Sequence, residues 1–220
     1  MTWKPIVERA RVASALNDVV VAIDAQPRVQ PSEPADYTVL RGYLASDGAV
    51  PDPDERGSDA LTHAIEALAV YGGGPGLYGG AAQIGWMVAH HSEGADADAV
   101  CDAIDEAIGQ RLPSWAGDYD LISGLAGFGV YALERGAAGT RIARGVIEGL
   151  EATMAQGWRT APALLPDHQR AIAPDGYVNL GLAHGLPGVI ATLARMIESA
   201  TGPAAEPATA LAIDVDRARR

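Results

Sequence analysis

A chain of 220 residues, 48% apolar, with one cysteine and a formal charge of −12, excludes several classes of protein at once. That length buries roughly 70% of the unfolded surface, so no staple is required, and a single cysteine permits neither an internal disulfide nor a cysteine-based zinc cluster. Lys and Arg form no run, which argues against nucleic acid or an anionic membrane surface as partner.

The start, "MTWKPIVERARVASAL", has no uninterrupted signal-type core. No stretch approaches ~18 consecutive apolar residues, so the expected location is cytoplasmic, without membrane insertion. Ile6, Ala10, Ala13, Leu16, Val20 and Ile23 fall on one face of a first helix. The stretches "QPRVQPSEPADYTVL" and "ASDGAVPDPDERGSD" read as surface connections, because proline fixes φ and does not continue a helix. Ser58 or Asp59 is the expected cap of a second helix with Leu61, Ile65 and Leu68 on one face.

From there two kinds of helix alternate. The segments "DADAVCDAIDEAIGQRL" and "TRIARGVIEGLEATMAQ" repeat apolar residues at helical spacing and read as amphipathic outer helices. The segments "GGAAQIGWMVAHH", "GLAGFGVYALERG" and "GLPGVIATLARMI" open on glycine and are apolar nearly all round, the pattern of helices buried on every side. Gly80, Gly124 and Gly185 are equivalent, 44 and 61 residues apart, which indicates an internal repeat with loop insertions. Glycine inside a helix costs about 1 kcal/mol relative to alanine, so its recurrence points to close helix approach or to backbone near a ligand. No segment alternates with period two, and the fold class is all-α.

These glycine segments carry a family resemblance. "GLYGGAAQIGW", "DYDLISGLAGFG" and "GYVNLGLAHGLPG", with the run from Gly157 into the last of them, resemble three successive motifs of the lanthionine synthetase C-like family. The resemblance implies an α/α toroid in which inner helices surround a central site. Repeats at 72–91, 117–136 and 176–198 would then lie in one partial domain over 1–220, an incomplete toroid. It also implies an activity: addition of a cysteine thiol to a dehydrated Ser or Thr of a ribosomal peptide, giving a thioether ring. The implied partners are the dehydrated precursor peptide, a dehydratase, and a chain supplying the remaining half. The covered part corresponds to about the first half of the family's length. The second half supplies a Cys and a Cys-His pair as zinc ligands, and the sequence through "AIDVDRARR" has neither. The expectation is therefore that zinc belongs to the complete family fold, that this chain binds none, and that alone it is inactive. Gln83 departs from the pattern, standing where the family usually has glycine, with packing as the expected consequence.

Two residues emerge as candidate catalytic groups. His184 precedes Gly185, with Pro187 in the first turn of the following helix, where proline is favoured. Thiolate addition leaves an enolate that must be protonated at carbon, and a positioned imidazole does that; the alternative use is to satisfy a helix terminus. Asp120 precedes Gly124 by four residues. A carboxylate there gains from the helix dipole, and the resemblance implies that it assists proton transfer. If both inner helices start at one end, Asp120 and His184 meet although 64 residues apart. Asp118 reads as solvated, and His63, His90, His91 and His168 as non-catalytic. Cys101 reads as a small buried residue, and Trp115 and Tyr119 mainly as core filling.

Three functions compete at this level. One is a thioether-forming cyclase or the N-terminal portion of one. Another is a non-catalytic peptide-binding or split-partner module with the same fold, whose open half-toroid would expose apolar helix faces. An α/α-barrel glycosidase is the third, disfavoured because it wants paired carboxylates and aromatic platforms, and aromatics are 5%.

Overall fold

The computed structural model describes residues 7–25, 33–201 and 212–219. Every regular element among them is helical, with one isolated antiparallel bridge between Thr160 and Tyr177. The chain divides into two compact units, Met1–Gly72 and Gly73–Arg220.

The first unit holds α1 (Arg9–Asp24), α2 (Glu33–Ser46) and α3 (Arg56–Tyr71). Val20 of α1 is buried with Leu44 and Val50, and Leu16 packs against them, so the expected α1 face is the inner one; Ile6 lies outside the described residues. α2 corrects the sequence reading, since it begins inside the stretch taken for a connection. Pro34 occupies its first turn, where the missing N–H would have had no helical partner. The start of α3 is a second correction. It begins at Arg56, after Glu55 in the left-handed region, so Ser58 and Asp59 lie within the helix. The capping acceptor is Asp52, whose Oδ2 receives the Gly57 N–H at 2.8 Å.

Asp52 also pairs with Arg41, both side chains being nearly buried at 11% and 6% exposure. Burial alone would raise the Asp52 carboxyl, but the guanidinium and the Gly57 N–H outweigh it and hold the group below its ordinary value. The resulting stability is fully present above the usual aspartate range and is lost as pH falls through the lowered folded value. Asp52→Asn, which leaves Arg41 buried without its carboxylate, should cost about 3 kcal/mol in a urea melt and should remove this acid-sensitive component.

The second unit contains α4 (Ala81–His91), α5 (Ala95–Arg111), α6 (Leu125–Arg135), α7 (Thr140–Ala155), α8 (Asp167–Ile172), α9 (Leu186–Thr201) and α10 (Val215–Arg219). α4, α6 and α9 form an inner row with α6 in the middle; α5 packs on α4, α7 packs on α6, and α5 and α7 touch. The row is close because of two glycines at equivalent positions. A Cβ on Gly85 would lie 2.7 Å from the Tyr131 ring, and one on Gly129 2.6 Å from Thr192 and 2.7 Å from Met196. α4 and α6 are buried along most of their length. α9 departs from expectation: only Gly188, Val189, Thr192 and Met196 are buried, and Ile190 is 65% exposed. It has an inner helix on one side only, so its apolar character does not make it buried all round.

The outer helices behave as amphipathic elements. α5 buries Cys101, Ile104 and Ile108, and α7 buries Ile142, Ala143, Val146, Ile147 and Leu150. A buried polar pin joins α5 to α6: the Tyr131 hydroxyl donates to Asp105 at 2.6 Å, and Arg135 donates to the same carboxylate. His168, expected in a loop, lies in the short helix α8.

Candidate active site

Each inner helix is entered by the same loop. The first helical N–H reaches back seven residues to a carbonyl, Ala81 to Gly74 at 2.8 Å, Leu125 to Asp118 at 3.3 Å and Leu186 to Asn179 at 3.1 Å. The chain therefore crosses itself just before each helix. Gly80, Gly124 and Gly185 are the crossing points, where a Cβ would lie 2.5, 2.3 and 2.1 Å from the oxygens of Gly74, Asp118 and Asn179. Gly80 and Gly124 have extended backbone, so space and not φ demands glycine there.

The three loops are stitched side by side. The Tyr78 N–H donates to the Ile122 carbonyl at 2.9 Å, and the Leu121 N–H to the Ala183 carbonyl at 3.0 Å. All three inner helices thus begin at one end of the unit. Gln83, where the repeat would have glycine, is buried, and its side-chain oxygen accepts the Gly79 N–H at 2.9 Å. The side chain thus ties the first turn of α4 to the loop before it by a hydrogen bond.

The stitch between the second and third loops brings Asp120 and His184 together. His184 Nδ1 lies 2.6 Å from Asp120 Oδ2. The carboxylate side chain is 3% exposed and the imidazole 59%, so the carboxylate is buried and the ring opens to solvent. The second oxygen, Oδ1, accepts the Ser123 N–H at 2.8 Å and lies 3.3 Å from the Ser123 hydroxyl. This leaves Oδ2 for the ring. With Nδ1 against the carboxylate, Nε2 is the ring nitrogen that carries no bond to Asp120.

Sequence reasoning missed two contributors. Ser123 fixes the rotamer of Asp120, and Asn179 shapes the His184 loop, its Oδ1 accepting the Gly181 N–H at 2.7 Å while its carbonyl takes the first N–H of α9. A signal existed for Asn179: aligned on the crossing glycines, Asp118 and Asn179 fall at the same position. Asp118 itself is a correction. It is half-buried, with Oδ1 accepting the Tyr119 N–H at 2.7 Å and lying 3.4 Å from the Thr160 hydroxyl. Burial pushes its carboxyl above the ordinary value.

The remaining candidates stay outside the site. Tyr119 is buried, donates its hydroxyl to the Trp158 carbonyl at 3.0 Å and packs edge-on against the Trp158 ring. Trp115 packs edge-on against Phe128. His90 bonds Glu134 at 2.8 Å and stacks on Trp86 at the far end of α4. The His63 ring bonds the Asp59 carbonyl one turn earlier.

A family model described as lanthionine synthetase C-like protein matches residues 42–207. The chain belongs to the lanthionine synthetase C-like family. No curated protein matches it. Among solved structures it is similar to a chain titled nisin cyclase, with a TM-score of 0.63 and 17% identity; the likeness covers 95% of this chain and 57% of that one. The fold is thus the helical toroid type of that neighbour, and the chain spans little more than half of the neighbour's length.

Among the described residues no group of three or more His, Cys, Asp or Glu side chains is placed to hold a metal ion. Cys101 is 1% exposed with its thiol 3.6 Å from the Gly85 carbonyl. Burial pushes that thiol up in pKa, the opposite of what a thiolate ligand needs. No helix of the described residues is long and apolar enough to cross a membrane.

Proposed function

We propose that this chain supplies the proton-transfer pair of a thioether-forming peptide cyclase, with a dehydrated precursor peptide as substrate. The observation that carries the reading is the 2.6 Å contact between exposed His184 and buried Asp120. In the reaction, a thiolate sulfur bonds to Cβ of a dehydroamino acid, and the displaced π electrons form an enolate. Protonated His184 then gives its Nε2 proton to Cα, which completes the thioether residue. The imidazole regains a proton from the medium or from the next thiol, so the cycle is balanced without a redox partner. Asp120 orients the ring, as buried carboxylates do for catalytic histidines.

Thiol activation, in this reading, is supplied by another polypeptide or segment, which fits a buried Cys101 and the lack of a metal-holding cluster among the described residues. In this reading these residues alone do not form rings, and a polypeptide carrying the activating site completes the enzyme. A dehydratase acts earlier, since the substrate must already be dehydrated. A double-mutant cycle tests the pair: if Asp120 acts through His184, adding Asp120→Asn to His184→Asn causes no further loss of ring formation. Fully additive losses, read by mass spectrometry of alkylated peptide, would separate the two residues and sink the shared role.

A further inference from the structure

On the flank of the second unit, a cavity of about 1030 Å³ runs along α7. Leu112 and Leu125 already cover Gly145 and Gly149 of that helix, a Cβ on either glycine falling 2.8 Å from a leucine methyl, and Trp115 and the exposed Leu164 supply the cavity's apolar wall. Residues 115–119, which lead directly into Asp120, form one side of it. The groove therefore shares a loop with the candidate catalytic pair while being lined by different side chains.

Its charge is opposite in sign to that of the whole chain. Arg141, Arg144 and Arg159 line it. Arg141 is engaged with Glu106 at 2.8 Å. Arg144 and Arg159 bond only backbone carbonyls, of Ala212 at 3.1 Å and Gly176 at 3.0 Å. Neither has a carboxylate in ion-pair contact among the described residues, in a chain with 28 acidic side chains. Two carboxyl groups also line the groove. Glu148 is paired with Arg217 at 3.3 Å. Asp118 is half-buried, accepting the Tyr119 N–H and lying 3.4 Å from the Thr160 hydroxyl. Two guanidiniums without a carboxylate partner thus face one half-buried carboxyl, that of Asp118, beside an apolar wall.

We infer that this groove binds an acidic, partly apolar segment of the peptide substrate, remote from the residues that form the ring. Apolar side chains of that segment lie against Trp115 and Leu164, and its carboxylates meet Arg144 and Arg159. The volume is at the upper end of small-molecule pockets, roughly 300–1,000 Å³, and suits a stretch of peptide. Binding here tethers the substrate beside the loop that carries Asp120, which raises the local concentration of reacting residues at His184. The inference rests on the proposed cyclase reading for the identity of the peptide, and on the groove alone for its charge and polarity.

The test is fluorescence anisotropy on the intact chain with a fluorescein-labelled twelve-residue peptide of repeated Glu-Leu-Ser-Ala, compared with versions carrying Gln or Lys for Glu. The Glu peptide should bind most tightly, with affinity falling as salt rises, and the Lys peptide should not bind. Arg144→Glu with Arg159→Glu should weaken the Glu peptide about tenfold or more. Arg195→Glu on α9, away from the groove, should leave its affinity unchanged, and circular dichroism verifies that each variant is folded. Equal binding of the three peptides, or an unchanged affinity in the folded double variant, would overturn the inference. His184→Asn should bind the Glu peptide as the parent does. A failed groove with a working His184, or the converse, therefore separates this inference from the reading it rests on.

Discussion

His184→Asn should lower the rate of ring formation about 10²- to 10⁴-fold, the range that a positioned general acid contributes. The assay combines this chain, its thiol-activating partner and a dehydrated peptide with one free cysteine, and follows loss of alkylatable thiol. Asparagine is the informative replacement because its side-chain N–H can still donate to Asp120, preserving the loop, while it has no group able to deliver a proton at neutral pH. The fold should therefore be unchanged and the loss should appear in turnover. His63→Asn is the natural comparison: its ring bonds the Asp59 carbonyl on an exposed face of α3, and ring formation should not respond to it.

The second large effect is structural. Gly124→Ala should destabilise the chain by about 3 kcal/mol or more, beyond the usual cost of an inserted methyl. The new Cβ would sit 2.3 Å from the Asp118 oxygen and 2.5 Å from the Asp120 nitrogen, and backbone atoms on both sides cannot move aside as a side-chain tip can. Relief requires opening the loop, which breaks the bonds from the Leu125, Ala126 and Gly127 N–H groups to the carbonyls of residues 118 to 120. Asp120 is then no longer held against His184. Gly74→Ala makes the contrast, since nothing lies within 4 Å of its added Cβ and its φ is not left-handed. Urea melts should show Gly74→Ala close to the parent and Gly124→Ala far below it.

The same contrast shows what the sequence made legible. The recurrence of glycine before apolar helices was enough to find three inner helices, and Asp120 and His184 met on the condition that those helices start at one end. It did not say why each glycine is there. Gly80, Gly124 and Gly185 serve a backbone crossing, Gly85 and Gly129 admit the neighbouring helix, and Gly79 adopts a left-handed φ of 73°. These are three physical demands behind one letter. Elements governed by tertiary contact were hidden as well. α2 starts across Pro34, and α3 is capped by Asp52, five residues before the Gly57 N–H it receives. Asp118 looked like one more surface carboxylate until the Thr160 and Tyr177 strands of loop came together beneath it.

Hydrophobicity alone also misled at α9. Its pattern matches that of α4 and α6, yet burial depends on having neighbours on both sides, and α9 has an inner helix on one. Ile190 stands where Gly85 and Gly129 stand in the other two helices, a bulky residue in place of one that admits a neighbour. The sequence contained that difference, but only the packing of Tyr131 and Thr192 against the two glycines gives it meaning.

Chemical rescue of His184→Ala tests the central claim most directly. The side chain is 59% exposed, so added imidazole can reach the vacated place beside Asp120. Ring formation should be slow in the variant and restored in a saturable way by imidazole, but not by an equally buffering amine too large for the gap. Ring formation by His184→Ala at the parent rate, without imidazole, would contradict it.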